Sequence, residues 1–170
     1  MRGYFVYYLK ILWASSLIAL LAASAIKFSR EDAYKKLLSL RSLPFEDCGS
    51  EYRVNYLNID SCSKVPCPMA RDSIVKVTVL FDDNGSGVSF LKHNVRWLLA
   101  FTKKDAAITP DPCDGDHHCI MNVNDGKSYF AYIYVNDTLP VMSGKMHWEA
   151  WDEQEQKILI CFDVPIKITT

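Results

Sequence analysis

The chain has 170 residues, of which 49% are hydrophobic and 23% are charged, and its 19 basic and 20 acidic side chains nearly cancel. This length suits one domain with a substantial core and is short for two. A net charge of −1 excludes the basic excess that binding a nucleic-acid backbone requires. We therefore expect a single domain, a monomer, with no nucleic-acid partner.

The chain begins with an apolar run, Ile11 to Ala25, that follows Arg2 and Lys10 and ends in small residues. This pattern is typical of a secretory signal peptide, so we assign residues 1–25 to one. The alternative is an uncleaved membrane anchor, because the apolar stretch approaches the roughly 20 residues of a bilayer span. Cleavage predicts a protein that is secreted or resides in the endosomal or lysosomal lumen.

Residues 26–44 form a separate N-terminal extension. The start at Ser29 and the apolar pair Leu37 and Leu38 predict one or two amphipathic helical turns. The segment could be a propeptide, a packed extension or disorder. Residues 45–170, the predicted domain proper, carry 12 basic and 18 acidic side chains, which suits a carrier in an extracellular or luminal space.

From Phe45 onward, apolar and polar residues alternate with the period of a half-buried strand. The residues expected to face inward are Val75, Val77, Val79 and Phe81 on one strand, Val95, Trp97, Leu99 and Phe101 on a second, Met146, Trp148 and Ala150 on a third, and Ile160, Phe162 and Val164 on a fourth. The run from Tyr129 to Val135 is apolar on both sides and is expected to be central or covered on both faces. With a shorter strand near Val54 to Ile59, six or seven strands separated by turns predict an all-β sandwich of two antiparallel sheets.

The six cysteines all lie in this region, and an even number behind a signal peptide is typical of a disulfide framework. Six cysteines allow 15 pairings. Proximity favours local loops between Cys62 and Cys67 and between Cys113 and Cys119, which leaves Cys48 for Cys161.

Other reactive groups give weaker indications. The sequons at Asn84 and Asn136 fall in or beside turns, where a glycan is acceptable. His117 and His118 stand between Cys113 and Cys119, but bonded cysteines would leave them without a full ligand set, so we expect no metal. The chain has no nucleophile elbow and no phosphate loop, so we expect neither an enzyme nor a cofactor.

Two motifs suggest a family. The runs Phe45-Glu46-Asp47-Cys48-Gly49-Ser50 and Cys62-Ser63-Lys64-Val65-Pro66-Cys67 resemble the opening of the lipid-recognition (ML) domain family, whose members include small luminal sterol carriers. The likeness continues through the short loop from Cys113 to Cys119, Leu139-Pro140-Val141, Trp148 and the ending from Ile160 to Ile166.

This resemblance implies the disulfides Cys48–Cys161, Cys62–Cys67 and Cys113–Cys119. It also implies an immunoglobulin-like sandwich with an internal lipid cavity, so the inward-facing residues would bind lipid. Val141 would stand at the entrance, and Val77, Met146 and Trp148 would form the wall. The residues so implied as lipid-binding are Val75, Val77, Val79, Phe81, Trp97, Leu99, Phe101, Val141, Met146 and Trp148.

The implied function is a secreted lipid-binding and transfer protein that carries a sterol in this cavity and hands it to a membrane or a membrane-protein acceptor. One departure from the sterol carriers is Asp105, which stands where they have an aromatic residue at the mouth of the cavity. A charged mouth favours a ligand with a polar head, so one alternative is a carrier of fatty acids or semiochemicals. A second is an innate-immune co-receptor for microbial glycolipid, whose phosphates Lys103 and Lys104 would meet, although the acidic net charge argues against it. A third is an adhesion or structural sandwich with a filled core.

Overall fold

The alternating pattern folds into two sheets whose apolar sides face each other. The computed structural model describes residues 42–60, 62–108, 120–123, 126–152 and 156–170, all within a compact unit from Arg41 to Thr170. No helix long and apolar enough to cross a bilayer occurs in these ranges.

The described residues form eleven strands. In chain order they are β1 (Glu46–Asp47), β2 (Arg53–Ile59), β3 (Cys67–Ala70), β4 (Ser73–Asp82), β5 (Lys92–Leu99), β6 (Thr102–Asp105), β7 (Ala107–Ile108), β8 (Met121–Val123), β9 (Gly126–Val135), β10 (Ser143–Trp151) and β11 (Ile158–Thr169). Every long strand predicted from alternation is present. The five additional strands have two to four residues, which is too short for a period of two to be recognised.

Sheet A has the order β1-β11-β10-β5-β6, and β3 adds to β11 as a parallel strand. Its centre is the antiparallel pair β10 and β11. At one end of the sheet, Gly144 of β10 pairs with Leu99 of β5, where a Cβ would collide with the Leu98 carbonyl oxygen. A glycine is therefore required for the close approach of these two strands.

Sheet B has the order β2-β4-β9-β7, and β8 also pairs with β9. The strand predicted to be central, β9, lies between β4 on one side and β7 and β8 on the other. The predicted central position is confirmed. From Tyr129 to Val135 one side of the strand faces the core, and the other carries the half-buried side chains of Phe130, Tyr132 and Tyr134.

The chain crosses between the sheets at both long edges. At one edge, β6 pairs with β5 in sheet A, and β7, which follows after Ala106, pairs with β9 in sheet B. At the other edge, the disulfide Cys62–Cys67 connects the end of β2 in sheet B to the start of β3 in sheet A. At each of these edges, two strands that follow each other in the chain therefore belong to different sheets.

Candidate functional site

The candidate site is the apolar interior between the two sheets. The structure buries eight of the ten residues predicted to bind lipid, each with at most 6% of its surface exposed. They are Val75, Val77, Val79 and Phe81 on β4, Trp97 and Leu99 on β5, and Met146 and Trp148 on β10. Their inward direction follows from the strand period, and their contact with a lipid stays a prediction.

Cross-strand pairing arranges the sheet A side in rows. Met146 lies between Trp97 of β5 and Val164 of β11, and Trp148 lies between Val95 and Phe162 in the next row. The Trp148 and Phe162 rings stack with centroids 5.7 Å apart. Each row thus presents a continuous apolar strip toward the other sheet, where Val77 pairs with Ala131 of β9.

The structure corrects the predicted inward position of Phe101. It was expected to continue the inward-facing series of β5, but its side chain is 93% exposed. The strand ends at Leu99, and the chain turns through Ala100 and Phe101 into β6. The turn breaks the alternation, so Phe101 projects from the tip of the hairpin and does not line the interior.

Val141, predicted at the entrance, is 50% exposed just ahead of β10. It lies at the same end of sheet A as Phe101, because Gly144 and Leu99 are register partners. We call Phe101 and Val141 the apolar tip. Large exposed apolar side chains at one end of a sheet commonly mark a contact surface.

Asp105 also differs from its expected position at a cavity mouth. It pairs across from Arg96 at the outer edge of sheet A, and cross-strand partners share a face of the sheet. Arg96 lies on the outer face, where it forms an ion pair with Glu149 at 2.7 Å. The charge of Asp105 is therefore directed away from the interior.

At the other end of the interior, aromatic rings from both sheets form a cluster. Tyr129 of β9 has its ring centroid 4.9 Å from that of His93 and 6.4 Å from that of Trp148. Sequence reasoning missed Tyr129 and His93 as site residues. Alternation could have placed Tyr129 on either side of β9, because both sides of that strand are apolar.

Apart from the interaction of Tyr129 with the Trp148 indole, three polar atoms in this interior have no hydrogen-bond partner among the described residues. They are the hydroxyl of Tyr129 and the indole Nε1 atoms of Trp97 and Trp148. Each of these side chains is at most 1% exposed. Buried donors usually have partners, so the cluster can accept a polar group from a guest molecule.

The ionisation of Tyr129 is strongly suppressed. Burial raises the pKa of its phenol far above the ordinary value, and an interaction with the nearby Trp148 indole opposes this only in part. The hydroxyl is therefore neutral at every physiological pH and is able to donate a hydrogen bond.

A cavity of about 260 Å³ opens beside this cluster. It is lined by Lys92, His93, Asn94 and Trp151, at the end of the β5–β10 pair opposite the apolar tip. Its volume is slightly below the roughly 300–1,000 Å³ of typical small-molecule pockets. His93 lines this cavity and also contacts the ring of Tyr129. The large cavity expected between the sheets stays a prediction.

Two of the three expected disulfides are present. Cys48–Cys161 joins residues 113 positions apart, and Cys62–Cys67 joins residues five positions apart. Cys113 and Cys119, with the neighbouring His117 and His118, lie outside the described residues. Disulfides of this kind persist in oxidising compartments.

Polar side chains cover the outer face of sheet A. His147 contacts Asp163 at 2.6 Å and Glu149 at 3.2 Å, and Lys145 contacts Glu46 and Asp163 at 2.7 and 3.2 Å. His147 also lies close to Cys48 and Cys161, a grouping that could suggest a metal site. Because those sulfur atoms are bonded to each other, they cannot act as thiolate ligands.

The turn after β4 is organised by Asp83. Burial opposes ionisation of its carboxyl group, but backbone N–H groups of Gly85 and Gly87 and the charge of Lys127 outweigh burial and lower the pKa. Asn84 in this turn is exposed and has φ of 53°, and Asn136 is exposed after β9. Both sequons are thus sterically accessible.

The sequence of residues 42–168 matches the profile of the ML domain family. The chain belongs to the ML domain family. The match covers almost the whole sandwich, so the fold described above is that of an ML domain.

Individual relatives agree with this assignment. The "NPC intracellular cholesterol transporter 2" of Canis lupus familiaris is 24% identical over 127 residues, which cover 73% of this chain and 83% of the relative. The crystal structure of a Niemann-Pick type C2 protein from the Japanese carpenter ant superposes with a TM-score of 0.57 at 24% identity. That alignment covers 74% of this chain and 99% of the ant protein, and it shows that the two proteins share a fold.

Proposed function

We propose that this protein is a secreted or luminal lipid carrier that holds a sterol-like lipid between its sheets and releases it to a membrane or an acceptor protein. The observation that carries the proposal is the pair of facing apolar strips in an ML domain, a family that includes a named cholesterol transporter. The mechanism is non-covalent and needs no catalytic group. Removal of apolar surface from water supplies roughly 25 cal/mol per Å².

Binding requires the strips to separate locally. Side chains such as Val77, Ala131 and Met146 are fully buried against the core, so a bound lipid replaces contacts between the sheets with contacts to itself. The disulfide Cys62–Cys67 keeps the two sheets joined at one edge while this happens, and Cys48–Cys161 ties the N-terminal segment to β11 within sheet A. Little ordering of the chain is then needed on binding, which favours affinity.

The test is native mass spectrometry with lipid extraction on protein secreted from eukaryotic cells. Val77→Trp adds bulk at the inner face of β4, and Thr78→Trp adds the same bulk at the adjacent outward position as its matched control. We expect lipid on the wild type and on Thr78→Trp, and none on Val77→Trp. Circular dichroism shows whether Val77→Trp folds, and Ala131→Leu is the milder replacement.

An empty wild type that takes up neither sterol nor fatty acid from a panel would contradict lipid carriage. The interior would then be an ordinary filled core, and the chain a binding module of another kind.

A second ligand class is favoured by the buried Tyr129 hydroxyl and Trp148 Nε1, which among the described residues interact only with each other. These groups suit a lipid with a polar group buried inside, such as a fatty acid or a semiochemical. Tyr129→Phe removes only the hydroxyl. We expect it to weaken fatty-acid binding about tenfold and to leave sterol binding unchanged, as measured by displacement of a fluorescent probe. Equal effects on both ligands would exclude this specificity.

Release of the lipid is proposed to occur at the apolar tip. Phe101 stands fully exposed on a hairpin, and Lys103 is on the strand that follows, so the tip can enter a membrane surface beside anionic head groups. Phe101→Ser should slow sterol transfer to anionic vesicles and leave sterol affinity unchanged. Met121→Ser, at an exposed position of sheet B, is the matched control. Transfer as fast as wild type would rule out this contact.

A further inference from the structure

The outer face of sheet B carries aromatic side chains that the interior site does not use. Phe130, Tyr132 and Tyr134 occupy successive outward positions of β9, and we call them the aromatic stripe. All three are only half-buried, and Ile74, the register partner of Tyr134, is 63% exposed. Exposed apolar surface of this kind usually has a binding partner or a cover.

The stripe runs directly toward a glycosylation sequon. Asn136 is two residues beyond Tyr134 and directly follows Val135, the last residue of β9, so it lies at the end of the strand where the stripe begins. Its Oδ1 accepts hydrogen bonds from the N–H of Thr138 at 2.8 Å and from the hydroxyl of Thr138 at 2.6 Å. The Nδ2 amide has no hydrogen-bond partner among the described residues and is exposed.

We propose that Asn136 carries an N-linked glycan whose first sugars lie on the aromatic stripe and cover the outer face of sheet B. The donor is a lipid-diphosphate-linked oligosaccharide of the secretory pathway. Nδ2 forms a bond to C1 of the first sugar, the bond from C1 to the diphosphate oxygen breaks, the lipid diphosphate leaves with the electron pair, and the amide loses one proton to a base. This inference rests on the proposed secretion of the protein and is independent of which lipid the interior binds.

The chemistry of the stripe suits a sugar. An aromatic ring has a negative face, which attracts the weakly positive C–H groups on one side of a pyranose ring. From Tyr134 to Phe130 the strand extends about 13 Å. The three rings together are therefore long enough to contact more than one sugar. Polar groups for the sugar hydroxyls stand beside the rings, at Asp72 and Lys76.

The rings are held in place before any sugar binds. The Tyr134 hydroxyl donates a hydrogen bond to Asp72 at 2.7 Å, and Phe130 packs edge-on against Tyr132 with centroids 5.8 Å apart. The same bond to Asp72 raises the pKa of Tyr134, so the phenol stays protonated. A preformed platform loses little side-chain entropy on contact.

The second sequon provides an internal contrast. At Asn84 the sequon hydroxyl, on Ser86, pairs with the Tyr52 hydroxyl at 2.7 Å instead of with its own asparagine. The nearest aromatic residue along the preceding strand is Phe81, which is 1% exposed and faces the core. A glycan at Asn84 would therefore extend into solvent without an aromatic platform.

The experiment uses the full chain secreted from eukaryotic cells in an Asn84→Gln background, so that only Asn136 can be modified. Peptide mass spectrometry after amidase release in heavy-oxygen water measures occupancy of Asn136. Thermal unfolding then compares the glycosylated protein with the expressed Asn136→Asp variant, which has the sequence that the amidase leaves. We expect occupancy and a melting temperature about 2–4 °C higher with the glycan.

The stripe is tested by repeating the comparison with Tyr132→Thr, and with Phe130→Thr if the first variant folds poorly. We expect the glycan to raise the melting temperature of these variants by less than half of the wild-type shift. An unmodified Asn136 overturns the proposal. So does a glycan that raises the melting temperature equally with and without the stripe, because such a glycan does not lie on these rings.

Discussion

The two sheets have similar inner faces and very different outer faces. Inside, both present rows of buried apolar residues, such as Trp148 on β10 and Val77 on β4. Outside, sheet A carries ion pairs such as Arg96 with Glu149, whereas sheet B carries the aromatic stripe with Lys76 above Phe130. The difference indicates that the common interior determines the fold, and that the outer faces are free to serve separate contacts.

The largest losses of unfolding free energy are expected when a disulfide is removed. Removing Cys48–Cys161 with the double change Cys48→Ala and Cys161→Ala opens a loop of 113 residues, and we expect a loss of about 4–5 kcal/mol of unfolding free energy in the chain-entropy model. The matched double change at Cys62 and Cys67 opens a loop of five and should cost about 2 kcal/mol. Urea unfolding measures both, and equal losses would contradict the loop-length explanation.

The next largest loss of unfolding free energy is expected when a buried side chain of sheet A is truncated. Trp148→Ala removes a fully buried indole from between Val95 and Phe162, and we expect a loss of about 3–5 kcal/mol in urea unfolding. Trp151→Ala, on the same strand but only half-buried, is the control and should cost clearly less. If Trp151→Ala were the more costly change, the interior would not be the main source of stability.

The stability contributed by Asp83, in the turn that leads from sheet B to sheet A, should depend on pH. The pKa of Asp83 is lower in the folded than in the unfolded chain, so its contribution is present above the carboxyl's unfolded pKa near 4 and is lost as the pH falls through the folded value. Asp83→Asn should cost about 1.5–3 kcal/mol at pH 7 and less below pH 3. Thermal melts from pH 2 to 7 measure this, with Asp82→Asn as control, and a pH-independent loss would refute it.

Smaller losses of unfolding free energy are expected from changes on the outer faces of the two sheets. Arg96→Met on sheet A removes a half-exposed partner of Glu149, and we expect a loss of about 1 kcal/mol that shrinks in 1 M salt. The unfolding free energy is measured at low and high salt. A loss that did not change with salt would show that the arginine acts through packing of its stem.

The smallest effect is expected on sheet B. Lys76→Met removes the ammonium that lies 4.5 Å from the centroid of Phe130, with a loss of about 0.5 kcal/mol. A double-mutant cycle with Phe130→Leu isolates the pairwise contribution. A coupling free energy indistinguishable from zero would mean that this contact does not contribute to sheet stability.

Most of the fold was predictable because the strand period is local. Val75 through Phe81 alternate in the sequence, and the structure buries the same residues. Phe101 was misplaced because the sequence pattern does not indicate that β5 ends at Leu99 and turns. The strands β6 and β7 were missed because they are short and obtain their hydrogen bonds from neighbours distant in sequence.

The sequence by itself determined the all-β class, the inward-facing residues of the long strands and the family, because alternation and cysteine spacing are written in the order of the residues. Only the tertiary structure decided that Tyr129, His93 and Trp148 meet, and that Phe101 and Val141 share one end. These contacts join strands far apart in the chain. Register and sheet order bring them together, and no local pattern encodes either.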